Sequence, residues 1–168
     1  NIFNSKENKL YAYEIYNNKK GAVSMAVLYM KTLEWQTIGK AALKEQRHHH
    51  NDFYDANEDS IFIFGGYGGF AYHNAFYSYN SKDDEWKPVQ FTGDTITPRF
   101  FSASGNAGKP NEIFIFGGYG NQTGSQIIGG RQYYDLYRVN LQNHTIKKCW
   151  EIRPSEVFVP ANNLILSA

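Results

Sequence analysis

The sequence predicts an all-β fold built from tandem short sheets. Three observations predict it. Residues 61–68 read IFIFGGYG and residues 113–120 read IFIFGGYG again, 52 positions later. The apolar runs are short and end on glycine or polar clusters, as strands do. No segment keeps a 3.6-residue apolar period; KTLEWQTIGKAALKEQ at 31–46 comes closest, and Gly39 interrupts it.

Each element of the repeat can be justified in order. Adding 52 carries Arg47 onto Arg99, RHHHN (47–51) onto RFFSA (99–103), and Gly65-Gly66 onto Gly117-Gly118. IFIF is apolar on both alternating faces, which suits a strand covered on two sides. NAFYSYN at 74–80 matches YDLYRVN at 134–140 once extra residues are allowed between Gly118 and Tyr134. Both alternate and are rich in β-formers. Trp86 follows in a last strand, with Trp150 as a looser counterpart. A weaker copy precedes these units: LYAYEI at 10–15, AVLYM at 26–30 and Trp35, with Glu14-Ile15 in place of the glycine pair. VFVPANNLILSA at 157–168 reads as the start of another unit. The expected strands are 61–65, 74–80, 112–117 and 133–140.

Four short strands per unit of about 50 residues match one blade of a propeller. The ordered set of Gly65-Gly66 and Gly117-Gly118, Tyr77 and Tyr137, Trp86 and Trp150, with Arg47 and Arg99 fourteen residues before each IFIF, resembles the kelch family. The same repeat is found in the central domain of galactose oxidase. The resemblance implies a kelch-type β-propeller segment of about three four-stranded blades in an incomplete ring. The expected division is a degenerate blade at 1–40, a blade at 41–92, a blade at 93–153 with a long insertion, and the start of a further blade at 154–168. Propellers close with about 4–8 blades. Completion by further sequence of the same propeller and completion by other copies of the chain both fit.

Composition bounds the partners. The formal net charge is +1, so no global field favours nucleic acid or an anionic membrane surface. No run of about 18 apolar residues exists, so no membrane insertion is expected. A single cysteine, Cys149, excludes an internal disulfide. The chain starts at Asn1 without an apolar leader core, which reads as a processed or excised piece and leans to an extracytoplasmic setting. The sequons at Asn121 and Asn143 matter only in a secretory setting.

Strand parity locates the ligand face. In an a-b-c-d meander the b–c loops and d–a junctions share one side. The b–c loops are 67–74 and 119–133; the junctions carry Arg47-His48 and Arg99-Phe100. One face therefore collects Arg47, Tyr67, Tyr72, His73, Arg99, Tyr119 and Arg131. Arginine with aromatics suits an acidic protein segment or a carbohydrate. For Arg47 and Arg99 a second reading is a brace onto backbone carbonyls, because positions that recur in stacked repeats serve the neighbour contact. His48 and His50 share strand parity with Asp52 and are the weak metal candidates; polar lining of an inner strand is the plainer reading. No serine triad, phosphate loop or paired acid motif is present, and no cofactor is expected. The expected function is a non-catalytic binding module for a protein or carbohydrate ligand. The alternative is a propeller enzyme acting on sugars, like galactose oxidase or a sugar isomerase. The glycine-rich insertion is expected to be exposed and mobile until something orders it, and Gly66→Val or Gly118→Val is expected to damage folding more than Gly124→Val.

Overall fold

A computed structural model describes residues 1–13, 25–39, 43, 45–160 and 163–165. Among them there is no helix. The strands form three four-stranded antiparallel meanders. The first contains β1 (Ile2–Asn4), β2 (Lys9–Tyr13), β3 (Met25–Tyr29) and β4 (Glu34–Ile38), in that order. The second contains β5 (Asn51–Asp55) and β6 (Ser60–Phe64). After a small hairpin of β7 (Tyr67–Gly68) and β8 (Ala71–Tyr72), it continues with β9 (Phe76–Asn80) and β10 (Glu85–Val89). Short β11 (Thr92–Gly93) and β12 (Arg99–Phe100) lead to the third, β13 (Ala103–Asn106), β14 (Glu112–Gly120), β15 (Arg131–Asn140) and β16 (Thr145–Glu151). The sheets stack as a partial propeller that does not close a ring. The Glu14-Ile15 substitution for the glycine pair lies outside the described residues.

Two apolar layers hold the stack. One face of the second blade presents Ile61, Ile63, Tyr79 and Trp86, which pack on Ile2, Tyr11, Met25 and Val27 of the first. Its other face presents Phe53, Phe62, Phe64 and Phe76, which pack on Ile113, Ile115, Tyr137, Val139 and Ile146 of the third. IFIF therefore serves two neighbours at once, isoleucines to one side and phenylalanines to the other. Burying each such side chain fully contributes about 1.5–3 kcal/mol, so a blade without neighbours would lose most of its stabilisation.

The register corrects one correspondence. Trp86 lies opposite Tyr79, which lies opposite Ile61. In the third blade Ile113, Val139 and Ile146 hold those three places. Ile146, not Trp150, is the counterpart of Trp86. A bulge between Leu136 and Tyr137 sets Trp150 opposite Leu136 instead, on the other side of the sheet from Ile146.

Polar contacts fasten one blade to the next. Asn4 donates to Asp59, and the Gly39 amide donates to Asp84 at 2.7 Å. Asn51 donates to the Ser102 carbonyl and to Ser104. The outer strand of the third blade is covered by β11, which pairs with β16 in parallel, and Asp94 accepts the Lys148 amide at 2.6 Å. This removes an unpaired sheet edge. At the inner edge of the same sheet, Leu164 donates its amide to the Ser104 carbonyl, and Asn163 bridges Ser104 in parallel. The residues assigned by sequence to a further blade thus run along β13 at this point.

The hairpin turns repeat a feature with no sequence motif. Asn8, Asp59 and Asn111 sit in left-handed conformation at the a–b turns, and Leu33, Asp84 and His144 do so at the c–d turns. Asn and Asp tolerate this region; leucine does not. Leu33 is exposed and has φ of 58°. Leu33→Asn is expected to raise stability by about 0.5–1 kcal/mol, read as a higher urea midpoint. A lower midpoint would show that Leu33 has a packing role.

Candidate ligand face

The glycine pairs set this face. Gly65 and Gly66 have φ of 71° and 93°, and Gly117 and Gly118 have 61° and 104°. A Cβ on Gly65 would lie 2.7 Å from the Arg99 carbonyl oxygen. The pair lets strand b end where the next blade's junction crosses it. That junction is stitched down by three backbone bonds: Gly66 N to Arg99 O, Arg99 N to His73 O, and Phe101 N to His49 O.

The recurring arginines are buried braces. Arg99 has no exposed surface. Its guanidinium donates to the Gly117 carbonyl at 2.9 Å and to both oxygens of Asp135, at 2.5 and 3.0 Å. It also lies over the Tyr133 ring, 4.2 Å from the centroid. Arg47 is buried too, donates to the Gly65 carbonyl at 3.1 Å and pairs with exposed Glu45. The same contact therefore recurs 52 residues apart, within each blade rather than between blades. Burial, aided by the Asp135 charge, pushes the Tyr137 hydroxyl up to about 12.

The histidines do not form the paired ligand arrangement that strand parity suggested. His49 is left-handed, with φ of 54°, so alternation breaks between His48 and His50. His48 turns to the Tyr67 ring. His50 places Nδ1 2.6 Å from the Arg47 carbonyl and Nε2 3.1 Å from the Tyr13 hydroxyl, which donates to Asp52 at 2.8 Å. Both ring nitrogens are occupied, and burial lowers the His50 pKa. Burial, aided by the Arg47 charge, also lowers that of His73. Among the described residues, no three His, Cys, Asp or Glu side chains converge as metal ligands.

The rest of the face is aromatic. Phe100 is its centre: Tyr67, Tyr72 and Tyr119 lie 4.6, 5.7 and 5.7 Å from it, ring to ring, and Phe101 lies 5.0 Å away. Three loops supply these rings. Tyr67, Phe100, Phe101 and Tyr119 are half-buried; Tyr72 is buried, which raises its hydroxyl pKa. Of the residues expected here, Tyr67, Tyr72 and Tyr119 come together, and Arg131 sits exposed at the rim over Tyr133. Arg131 has no ion pair among the described residues. Sequence reasoning noted Phe100 at the junction but did not select it. Its signal was present in RHHH and RFFS, which put rings at the same place in both repeats.

The insertion is docked on the hairpin of the second blade. Ser125 bridges Ala71, Tyr72 N donates to Gly124 O at 2.6 Å, and Gln126 N donates to Phe70 O at 3.0 Å. The loop of one blade thus clasps the b–c hairpin of the other. Asn121 closes it from inside, its amide donating to the Ser125 and Gly129 carbonyls. Asn121→Ala leaves two carbonyls unpaired and should cost about 1–3 kcal/mol locally. Amide exchange at Tyr72 and Gln126 should speed up; unchanged exchange there would show that the clasp does not depend on Asn121.

These features define a class: consecutive four-stranded propeller blades with an aromatic loop face. Residues 3–160 match the family model described as the KLHDC2/KLHL20/DRC7 Kelch-repeats domain, and the chain belongs to that family. It is also similar to the Rab9 effector protein with kelch motifs of Mus musculus, 23% identical over 127 residues. That match covers 76% of this chain and 33% of the relative's length.

Proposed function

We propose that this chain recognises a protein ligand through the loop face centred on Phe100. One observation carries the reading. Tyr67, Tyr72, Phe100 and Tyr119 from two blades form a continuous aromatic floor beside an unpaired arginine. Aromatic residues and arginine dominate the energetics of protein interfaces, because they bury large area at low entropic cost. The relative named as a Rab9 effector fits a role exercised through a protein. Kelch membership supports a protein-interaction module. Arg131 favours a ligand with an acidic group; Arg47 and Arg99 are assigned to bracing the face.

A random 12-residue peptide library displayed on phage, selected against the full-length protein, tests this. Selected peptides should bind with at least ten-fold loss in Phe100→Ala, while circular dichroism stays unchanged. Failure to select any peptide, or binding indifferent to Phe100→Ala, would remove the reading. Binding on a glycan array that Phe100→Ala abolishes would replace protein by carbohydrate as the ligand class, and turnover of a bound sugar would bring back the enzyme alternative.

A further inference from the structure

The b–c hairpin of the second blade carries a residue its turn does not want. The loop between Tyr67-Gly68 and Ala71-Tyr72 has two residues, Gly69 and Phe70. Both have positive φ, 56° and 63°. A two-residue hairpin of this kind favours glycine or asparagine at its second position. A bulky aromatic there is strained. Packing does not repay the strain, because Phe70 is 78% exposed.

The phenylalanine is not isolated. Its carbonyl accepts the Gln126 amide, so the next two residues of the insertion, Ile127 and Ile128, are fixed beside the hairpin. They are 83% and 67% exposed. Three large apolar side chains are therefore held outward by a rigid clasp between two blades. Ile128 also lines an open cleft of about 480 Å³ together with Asn121, Arg131 and Tyr133. An unpaired guanidinium and an apolar wall share that cleft. Arg47 is engaged by Glu45 and Arg99 by Asp135, so neither of those guanidiniums is free for a ligand carboxylate.

We infer that Phe70, Ile127 and Ile128 are the apolar anchor of the ligand face, and that the partner is a protein segment presenting an apolar side chain next to a carboxylate. The apolar side chain lies against the three outward residues, and the carboxylate takes Arg131. This rests on the reading of the face as a protein-binding surface and specifies its partner. An exposed, strained phenylalanine has no fold role to preserve. Replacing it with the residue the turn prefers separates binding from stability.

The library peptides serve as probe. They should carry an apolar residue within two positions of Asp or Glu. Phe70→Gly should melt at the wild-type temperature or above and bind the selected peptides at least ten-fold more weakly. The double variant Ile127→Ser/Ile128→Ser should behave likewise, and Arg131→Gln should remove the salt dependence of binding. A lower melting temperature in Phe70→Gly would show that Phe70 is structural and overturn the inference. Peptides that lose binding in Phe100→Ala but not in Phe70→Gly or the double isoleucine variant would also overturn it, leaving the ligand face itself intact. Indifference to all of these variants would remove both. Self-association in light scattering that Phe70→Gly abolishes would make the occupant a second copy and overturn the assignment of a separate partner.

Discussion

Asp135→Asn should lower stability by about 3–5 kcal/mol, a large fraction of the 5–15 kcal/mol typical of a domain. Asparagine keeps the shape of aspartate and removes its charge. Arg99 then remains buried as a cation without a counter-charge, its acceptors reduced to the carbonyls of Gly117 and Thr97 and one amide oxygen. Desolvating a guanidinium without its carboxylate is the expensive step. The first repeat supplies the control. Arg47 makes the same carbonyl contact, but its carboxylate partner Glu45 is exposed. Glu45→Gln should cost less than about 1 kcal/mol, because water already screens that pair. Urea midpoints of the two variants, with equal slopes, measure the contrast. Asp135→Asn within about 1 kcal/mol of wild type would mean that water reaches Arg99 and that the brace is not closed.

The architecture was legible because stacking imposes the same demand on every blade. Ile61 and Ile113, or Phe62 and Phe114, must face neighbours in equivalent ways, so selection for packing writes itself as repetition. Strand parity then placed Tyr67, Tyr72 and Tyr119 on one side before any coordinates. Three things were not legible, each for a physical reason. The clasp between the two b–c loops is made by backbone atoms of Tyr72, Gly124, Phe70 and Gln126, and backbone bonds leave no side-chain signature. The place of Trp150 opposite Leu136, away from Ile146, depends on a bulge, which shifts register without altering composition. The left-handed turn residues recur as Asn8, Asp59 and Asn111, but Asn and Asp are also common in ordinary loops, so the spacing went unread. The arginines show the opposite case. Their recurrence was visible, yet recurrence alone fits both a ligand contact and a brace, and only burial separates the two.

Gly118→Ala should be strongly damaging at the ligand face, on the order of 3 kcal/mol. Two effects combine. The residue has φ of 104°, where a side chain is strained by roughly 1–3 kcal/mol. A Cβ there would also lie 2.8 Å from the Phe100 carbonyl oxygen and 2.5 Å from Ser102 Oγ. The hydroxyl can swing away, but it donates to the Gly117 carbonyl, so moving it breaks a buried bond. The Phe100 carbonyl belongs to the junction strand paired with Tyr119, so it moves only by unpairing that strand. Gly108→Ala separates the two effects, since Gly108 has φ of 82° and open space around its missing Cβ; it should show the strain alone. Gly124→Val, in the loop expected to be exposed, should also destabilise: φ is 74° and the Tyr72 carbonyl stands 3.1 Å from a Cβ. Because Phe100 is the centre of the aromatic floor, Gly118→Ala should weaken peptide binding as well as lower the melting temperature. Gly108→Ala, at the far end of the blade, should lower melting slightly and leave binding unchanged. Equal melting temperatures for Gly118→Ala and Gly108→Ala would show that the junction yields easily, and that the glycine is there for its dihedral angle and not for the close approach of the chain.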